Sequence, residues 1–281
     1  PAFGSRSLAR DAALAKECGW ELPPEWADWG IELEAMTGTE YREFAAERIA
    51  GAVEQAWNAR QPGGVGFGLG HAVVGHNRLV AYDSGRSQMY GATDRPDFSH
   101  IEGYEDHAVN LLFTWDRGKR LTGVVINVAC PSQVSESIYQ ISADFWHDTR
   151  EELRRRLGDH LFVLPQASAA GDQSPHLIGR RNKRENAEQR MERITGRNRR
   201  QQIAVRIADA VTSALPHIEK TLEWNPAFAH RVEQVELTRR LIPERDVAEA
   251  VSESNQWRER YEQMRRAIEE NPEIKRNRRW Y

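Results

Sequence analysis

The sequence predicts an α/β protein built on a mixed sheet with a βαβ unit and flanking helices. Two apolar runs and the periodic segment between them carry that prediction. Residues 121–129 (Leu-Thr-Gly-Val-Val-Ile-Asn-Val-Ala) and 161–165 (Leu-Phe-Val-Leu-Pro) are short apolar runs bounded by turn residues, the pattern of buried strands. Between them Ile138, Ile141, Phe145, Leu153 and Leu157 recur at helical spacing on a segment closed by Gly158. Strand, helix and strand in that order make the two strands parallel, with a right-handed crossover. Cys130 and Ser174 then lie past the same C-terminal edge of the sheet, where open α/β sheets bind ligands.

The other elements follow along the chain. A short helix is expected at residues 8–18, then an irregular segment holding Trp20, Trp26 and Trp29. Tyr41, Ala45, Ile49, Val53 and Ala56 mark one face of a strong helix. Residues 63–74 read as a strand. Its glycines (Gly64, Gly66, Gly68, Gly70) alternate with Val65, Phe67 and Leu69, leaving bare backbone on the face that a neighbouring segment approaches. The G-x-G-x-G spacing opens no helix and no Gly-Lys-Ser/Thr follows, so neither nucleotide fingerprint is met. Residues 82–104 read as a long polar loop, 108–115 as another strand, and 180–200 as a highly charged stretch. A helix carrying Ile203, Ile207, Val211 and Leu215 comes next, then a strand at 232–242. After Pro243 a long charged helix has Val247, Val251, Tyr261, Met264 and Ile268 on its apolar stripe. Pro243 is the expected boundary, dividing residues 1–243 from a helical extension at 244–281 of the same domain.

Composition bounds the class. The chain has 281 residues, 40% of them hydrophobic, and a formal net charge of −3. That suffices for a core, and no apolar run approaches a membrane span. The charge balance recommends neither nucleic acid nor an anionic membrane. Two cysteines, Cys18 and Cys130, argue against a disulfide scaffold.

The most informative stretch is Ala170-Gly171-Asp172-Gln173-Ser174-Pro175-His176. It follows the strand at 161–165 and a run of small residues, and a serine past the C-terminal end of a strand is where α/β proteins commonly place a nucleophile. The same residues also make an ordinary Asp/Ser/Pro turn. His176 is too close in sequence to serve easily as the base for Ser174. His71 and His76 fall on opposite faces of an extended segment. His147 is a solvated helix residue, and His100 and His107 flank an acidic loop (Glu102, Glu105, Asp106) able to approach the sheet edge.

These residues resemble the neutral/alkaline (non-lysosomal) ceramidases and their bacterial relatives over roughly residues 41–243. The Ser174 loop looks like the family's Asn-Ala-Gly-Asp/Asn-x-Ser-Pro-Asn, whose serine is the proposed nucleophile. Asn77-Arg78 resembles its Val-Asn-Arg-Ser, and Ala108-Val109-Asn110-Leu111-Leu112-Phe113 its strand before the metal-ligand strand. Val128-Ala129-Cys130-Pro131-Ser132 is similar to its strand ending in x-His-Pro-Thr-Ser, with Cys130 in place of a zinc-binding histidine. The resemblance implies a zinc-dependent amidohydrolase acting on a ceramide-like lipid or related N-acyl amide. Ser174, Asp172 and Gly171 would be catalytic, Asn77, Arg78 and His176 would bind substrate, and Cys130 would be the metal-side residue. No good counterpart of the family's other zinc ligands is present, so the chain reads as an internal segment of a longer protein, which the resemblance makes secreted or periplasmic. Two alternatives stand beside this reading. One is a non-catalytic ceramidase-like scaffold or binding module. The other is a nucleic-acid surface at 180–200, which the glutamates Glu185, Glu188 and Glu192 and the lack of interleaved aromatics disfavour.

Overall fold

A computed structural model describes residues 38–138, 141–178, 186–239 and 241–271. The expected first helix and the tryptophans at 20, 26 and 29 lie outside the described residues. Helix α1 spans Gly38–Ala59. It is followed by strands β1 (Gly63–His71), β2 (His76–Asn77), β3 (Leu79–Tyr82), β4 (Ser87–Met89), β5 (Phe98–Ile101), β6 (Ala108–Asp116) and β7 (Leu121–Val128). Helix α2 (Phe145–Leu157) leads to β8 (Phe162–Ala167) and β9 (Gln173–Ser174). Helices α3 (Ala187–Thr195) and α4 (Arg199–Ile218) come next, and α5 (Glu244–Glu270) is last.

The main sheet has the order β1-β6-β7-β8. β6 pairs antiparallel with both β1 and β7, whereas β8 runs parallel to β7, so the sheet is mixed and β7-α2-β8 is the βαβ unit. Alternation along β6 buries Val109, Leu111, Phe113 and Trp115 on one face. They share the core with Val124, Ile126 and Val128 of β7, Phe145 and Leu153 of α2, and Ile203, Ile207 and Val211 of α4. Each large side chain so buried contributes about 1.5–3 kcal/mol. On β1 the glycine face meets α4: a Cβ on Gly66 would collide with Ile218, and one on Gly70 would lie 2.9 Å from Ala210 Cβ. Close approach by a neighbouring segment is what the alternating glycines predict.

Several expectations are corrected. Helix α2 starts at Phe145, so Ile138 and Ile141 precede it and are exposed. The cause is Asp144, whose φ of 54° breaks the helix and whose carboxylate accepts from Phe145 N and from Ser135 N at 2.7 Å. The strand expected at 63–74 ends at His71. The loop expected at 82–104 contains β4 and β5, which flank β3 in a three-stranded antiparallel sheet. Helix α3 lies within the charged stretch, and Asn186/Gln189 and Asn198/Gln201 form capping boxes at the starts of α3 and α4. The strand expected at 232–242 is not formed among the described residues: Val232, Val235 and Leu237 are exposed and no neighbouring strand completes their hydrogen bonds.

The chain divides into two units, Pro1–Ala227 and Phe228–Tyr281. In the second, α5 forms as expected after Pro243, and none of its residues is fully buried. Among the described residues no helix is long and apolar enough to cross a membrane.

Candidate functional site

β2 and β9 form a two-residue antiparallel ladder with His76 opposite Ser174 and Asn77 opposite Gln173. Side chains complete the join. Asn77 Nδ2 donates to Asp172 Oδ2 at 2.8 Å, across 95 positions of sequence, while Asn77 Oδ1 accepts from Leu79 N at 2.9 Å. The Arg78 backbone N–H donates to the Asp172 carbonyl and its guanidinium to the Gly171 carbonyl, both at 2.8 Å. Asn77 is 1% exposed. Gly103 lies over the Asn77–Asp172 bond, where a Cβ would fall 2.6 Å from Nδ2 and 3.0 Å from Oδ2, so only a bare backbone fits. Beside Gly171 there is open space instead, with nothing within 4 Å of where a Cβ would lie. The two segments matched in sequence thus meet in one place.

Cys130 comes to the same place. A Cβ on Gly75 would lie 3.3 Å from Cys130 Cβ and 3.5 Å from Gln173 Cβ. The segments that follow β7 and β8 therefore meet beside Gly75.

Ser174 is 0% exposed. Its Oγ accepts from the Tyr90 phenol at 2.8 Å and from the His176 backbone N–H at 3.1 Å. The His176 ring turns away from Ser174 and meets Glu136 Oε1 through Nε2 at 3.0 Å. Among the described residues no histidine ring hydrogen-bonds Ser174 Oγ. Tyr90 is the participant that sequence reasoning missed, hidden in a polar segment with no periodicity.

A second group supports the loop from behind. Arg199, at the start of α4, donates through one nitrogen to the Pro175 carbonyl and to His76 Nε2, each at 3.2 Å. A guanidinium only donates, so His76 Nε2 accepts and the imidazole proton resides on Nδ1. That N–H points to Glu105 Oε1 at 3.1 Å, which also accepts from Asn77 N at 3.3 Å. Glu188 of α3 pairs with Arg199 and with Arg206, the latter at 2.8 Å. Of the basic stretch, Arg199 is thus turned inward, and Arg200 faces Asp148 at 3.4 Å. Positions 180–185 lie outside the described residues.

Burial, helped by the charge of Arg199 and opposed by Glu105, holds His76 below its ordinary value of 6.5. The unfolded chain therefore takes up this proton first, and stability should fall as pH drops below about 6.5. At Glu188, burial alone would raise the pKa, but hydrogen bonds from Arg206 and Arg199 bring it from 4.5 to about 2. The contribution of this carboxylate is present above 4.5 and is lost between 4.5 and about 2. Urea unfolding between pH 8 and 3 should show stability declining across both windows. Glu188→Gln should flatten the lower one, and a variant with the wild-type slope there would contradict the pairing.

Cys130 was the expected metal-side residue. Its thiol is fully buried and donates to the Pro131 carbonyl at 3.4 Å. Burial pushes it up to about 12, with Arg199 opposing and Asp144 adding to the rise. Zinc needs a thiolate and further donors. Among the described residues no group of three or more His, Cys, Asp or Glu is placed to hold a metal ion. The residues present around Cys130 do not fit a zinc centre. Calorimetric zinc titration of the wild type, Cys130→Ser and Cys130→His should accordingly give equal affinities. Weaker binding by Cys130→Ser would restore Cys130 as a ligand.

No family model matches the chain, and no curated protein matches it. Among solved structures it is similar to neutral ceramidase from Pseudomonas aeruginosa, at 16% identity and a TM-score of 0.42, over 60% of this chain and 25% of that one. It is similar too to a ceramidase complexed with C2, at 16% identity and a TM-score of 0.41, over 59% of this chain and 24% of that one. The chain spans about a quarter of the length of the ceramidases it matches.

Proposed function

We propose that the protein is a serine-dependent amidohydrolase of the neutral ceramidase kind, which cleaves an N-acyl amide to an amine and a carboxylic acid. The observation that carries this reading is the convergence of Asn77-Arg78 and Gly171-Asp172-x-Ser174 through the 2.8 Å Asn77–Asp172 bond. Both segments were marked by their sequence alone, and a turn with no function has no need of a second, distant motif to hold it.

In this reading Ser174 Oγ attacks the amide carbonyl. Asp172, anchored by Asn77, fixes the loop that presents the serine. Arg78 bonds the Gly171 carbonyl with one nitrogen and has further N–H groups to orient a substrate carbonyl. His176 supplies its backbone N–H to Oγ, and its ring, held by Glu136, would bind substrate. Nothing in this set selects an acyl length or an amine.

The test is hydrolysis of N-acyl amides of graded chain length, a ceramide-like lipid among them, followed by amine release. Turnover of at least one is expected. The full burial of Ser174, with no histidine base beside it among the described residues, favours a second reading, a ceramidase-like scaffold. Folded protein inert to the whole panel would leave that reading standing.

A further inference from the structure

Tyr90 adopts φ 53°, a left-handed conformation that a bulky side chain rarely takes. Such backbone costs on the order of 1–3 kcal/mol and persists where its surroundings over-determine it. Here the Tyr90 N–H donates to the Arg78 carbonyl at 2.7 Å, and the next N–H, of Gly91, to the Gln88 carbonyl at 3.2 Å. Arg78 in turn grips the serine loop at Gly171 and Asp172. The strained turn is therefore tied to the same backbone that holds Ser174.

The strain delivers a phenol to Ser174 Oγ at 2.8 Å. The Tyr90 ring also meets the His176 ring edge-on, with centroids 6.1 Å apart. Tyr90 is 37% exposed, and the serine that it bonds is 0% exposed. Among the described residues it is the one side chain that hydrogen-bonds Oγ.

We propose that Tyr90 is a catalytic residue that relays a proton from Ser174 to the leaving amine. The proposal rests on Ser174 being the nucleophile. A phenol hydroxyl both donates and accepts. As the Oγ–carbonyl bond forms, the Oγ proton passes to Tyr90 Oη, and the Tyr90 proton passes to the amide nitrogen as the C–N bond breaks. The products are an amine and an acyl ester on Ser174, with tyrosine regenerated. Water then attacks the ester and a proton returns to Oγ, giving the carboxylic acid and free serine. No oxidant, reductant or co-reactant besides water is consumed.

The leaving group separates a proton relay from a structural cap. An amide nitrogen must be protonated to leave, whereas a nitrophenolate needs no proton. Wild type, Tyr90→Phe and Ser174→Ala are assayed on an N-acyl amide and on the nitrophenyl ester of the same acyl chain. Tyr90→Phe should lower kcat for the amide about 10²–10⁴-fold, the usual worth of a positioned proton donor. Its effect on the ester should be at least about tenfold smaller, since attack there still loses the Oγ proton acceptor but the leaving group needs no proton, with KM little changed for either. Equal losses on the two substrates, or no loss on either, would overturn the relay. If Tyr90→Phe does not fold, a fluorinated tyrosine at position 90 keeps the shape and has a more acidic hydroxyl. It should then move the alkaline limb of the amide pH profile to lower pH, and an unmoved limb overturns the proposal. Retained turnover by Ser174→Ala, or wild type inert to both substrates, instead removes the nucleophile reading and the relay with it.

Discussion

Replacing Ser174 with alanine is expected to lower N-acyl amide turnover by about 10⁶-fold, the loss typical of a missing nucleophile. At about 1.36 kcal/mol per factor of ten, this corresponds to about 8 kcal/mol of transition-state stabilisation. The fold should survive, though with a measurable penalty. Ser174 Oγ accepts two hydrogen bonds inside the protein, so alanine leaves the Tyr90 hydroxyl and the His176 N–H without their acceptor. An unsatisfied buried group costs about 1–3 kcal/mol. Steady-state kinetics together with urea unfolding separate the two effects. Turnover within tenfold of wild type would return the loop to a plain Asp/Ser/Pro turn.

Asn77→Ala should produce the largest loss of stability among the site variants, about 2–4 kcal/mol. Both ends of the side-chain amide are used: Nδ2 on the Asp172 carboxylate and Oδ1 on the Leu79 N–H. Alanine leaves Asp172 Oδ2 beneath Gly103 without its Asn77 donor, while Oδ1 keeps Gln173 Nε2, and leaves a backbone N–H without its acceptor. Because Asp172 presents the loop two residues before Ser174, turnover should also fall, by about 10²-fold, as expected for a misplaced reacting group. Chemical denaturation and kcat measure the pair of effects. A variant within about 0.5 kcal/mol of wild type, with normal turnover, would show that the two segments touch without depending on each other.

The sheet was legible wherever its signal was local. The apolar runs of β7 and β8, with Phe145, Leu153 and Leu157 at helical spacing between them, announce the βαβ unit without reference to the rest of the chain. Elements that exist through a partner were not legible. The short polar strands β4 and β5 are held by β3, and nothing in Ser87–Met89 or Phe98–Ile101 alone separates them from loop. Residues 232–242 show the opposite case, β-branched and apolar in sequence but without a neighbouring strand among the described residues.

The candidate site divides along the same line. Ser174, Asp172, Gly171, Asn77, Arg78 and His176 were marked by motif, and the structure gathers them. Tyr90, Glu105, Gly103 and Arg199 act across the fold. The Tyr90 bond to Ser174 spans 84 positions and the Arg199 bond to His76 spans 123, distances that no local pattern encodes. Cys130 lies past the strand end as expected, and its surroundings make it a buried thiol whose pKa burial pushes up to about 12. Residue type alone does not foretell that shift, because the desolvation behind it comes from packing.

The central claim is that Ser174 is a nucleophile, and its most direct test is the mass of the enzyme caught during turnover. Wild type mixed with excess nitrophenyl ester of a long acyl chain, quenched in acid within the first turnover and digested, should yield the peptide containing Ser174 heavier by one acyl group. Ser174→Ala treated alike should yield only the unmodified peptide. An acyl group found elsewhere, or hydrolysis proceeding with no acylated Ser174 peptide at any quench time, would contradict the claim.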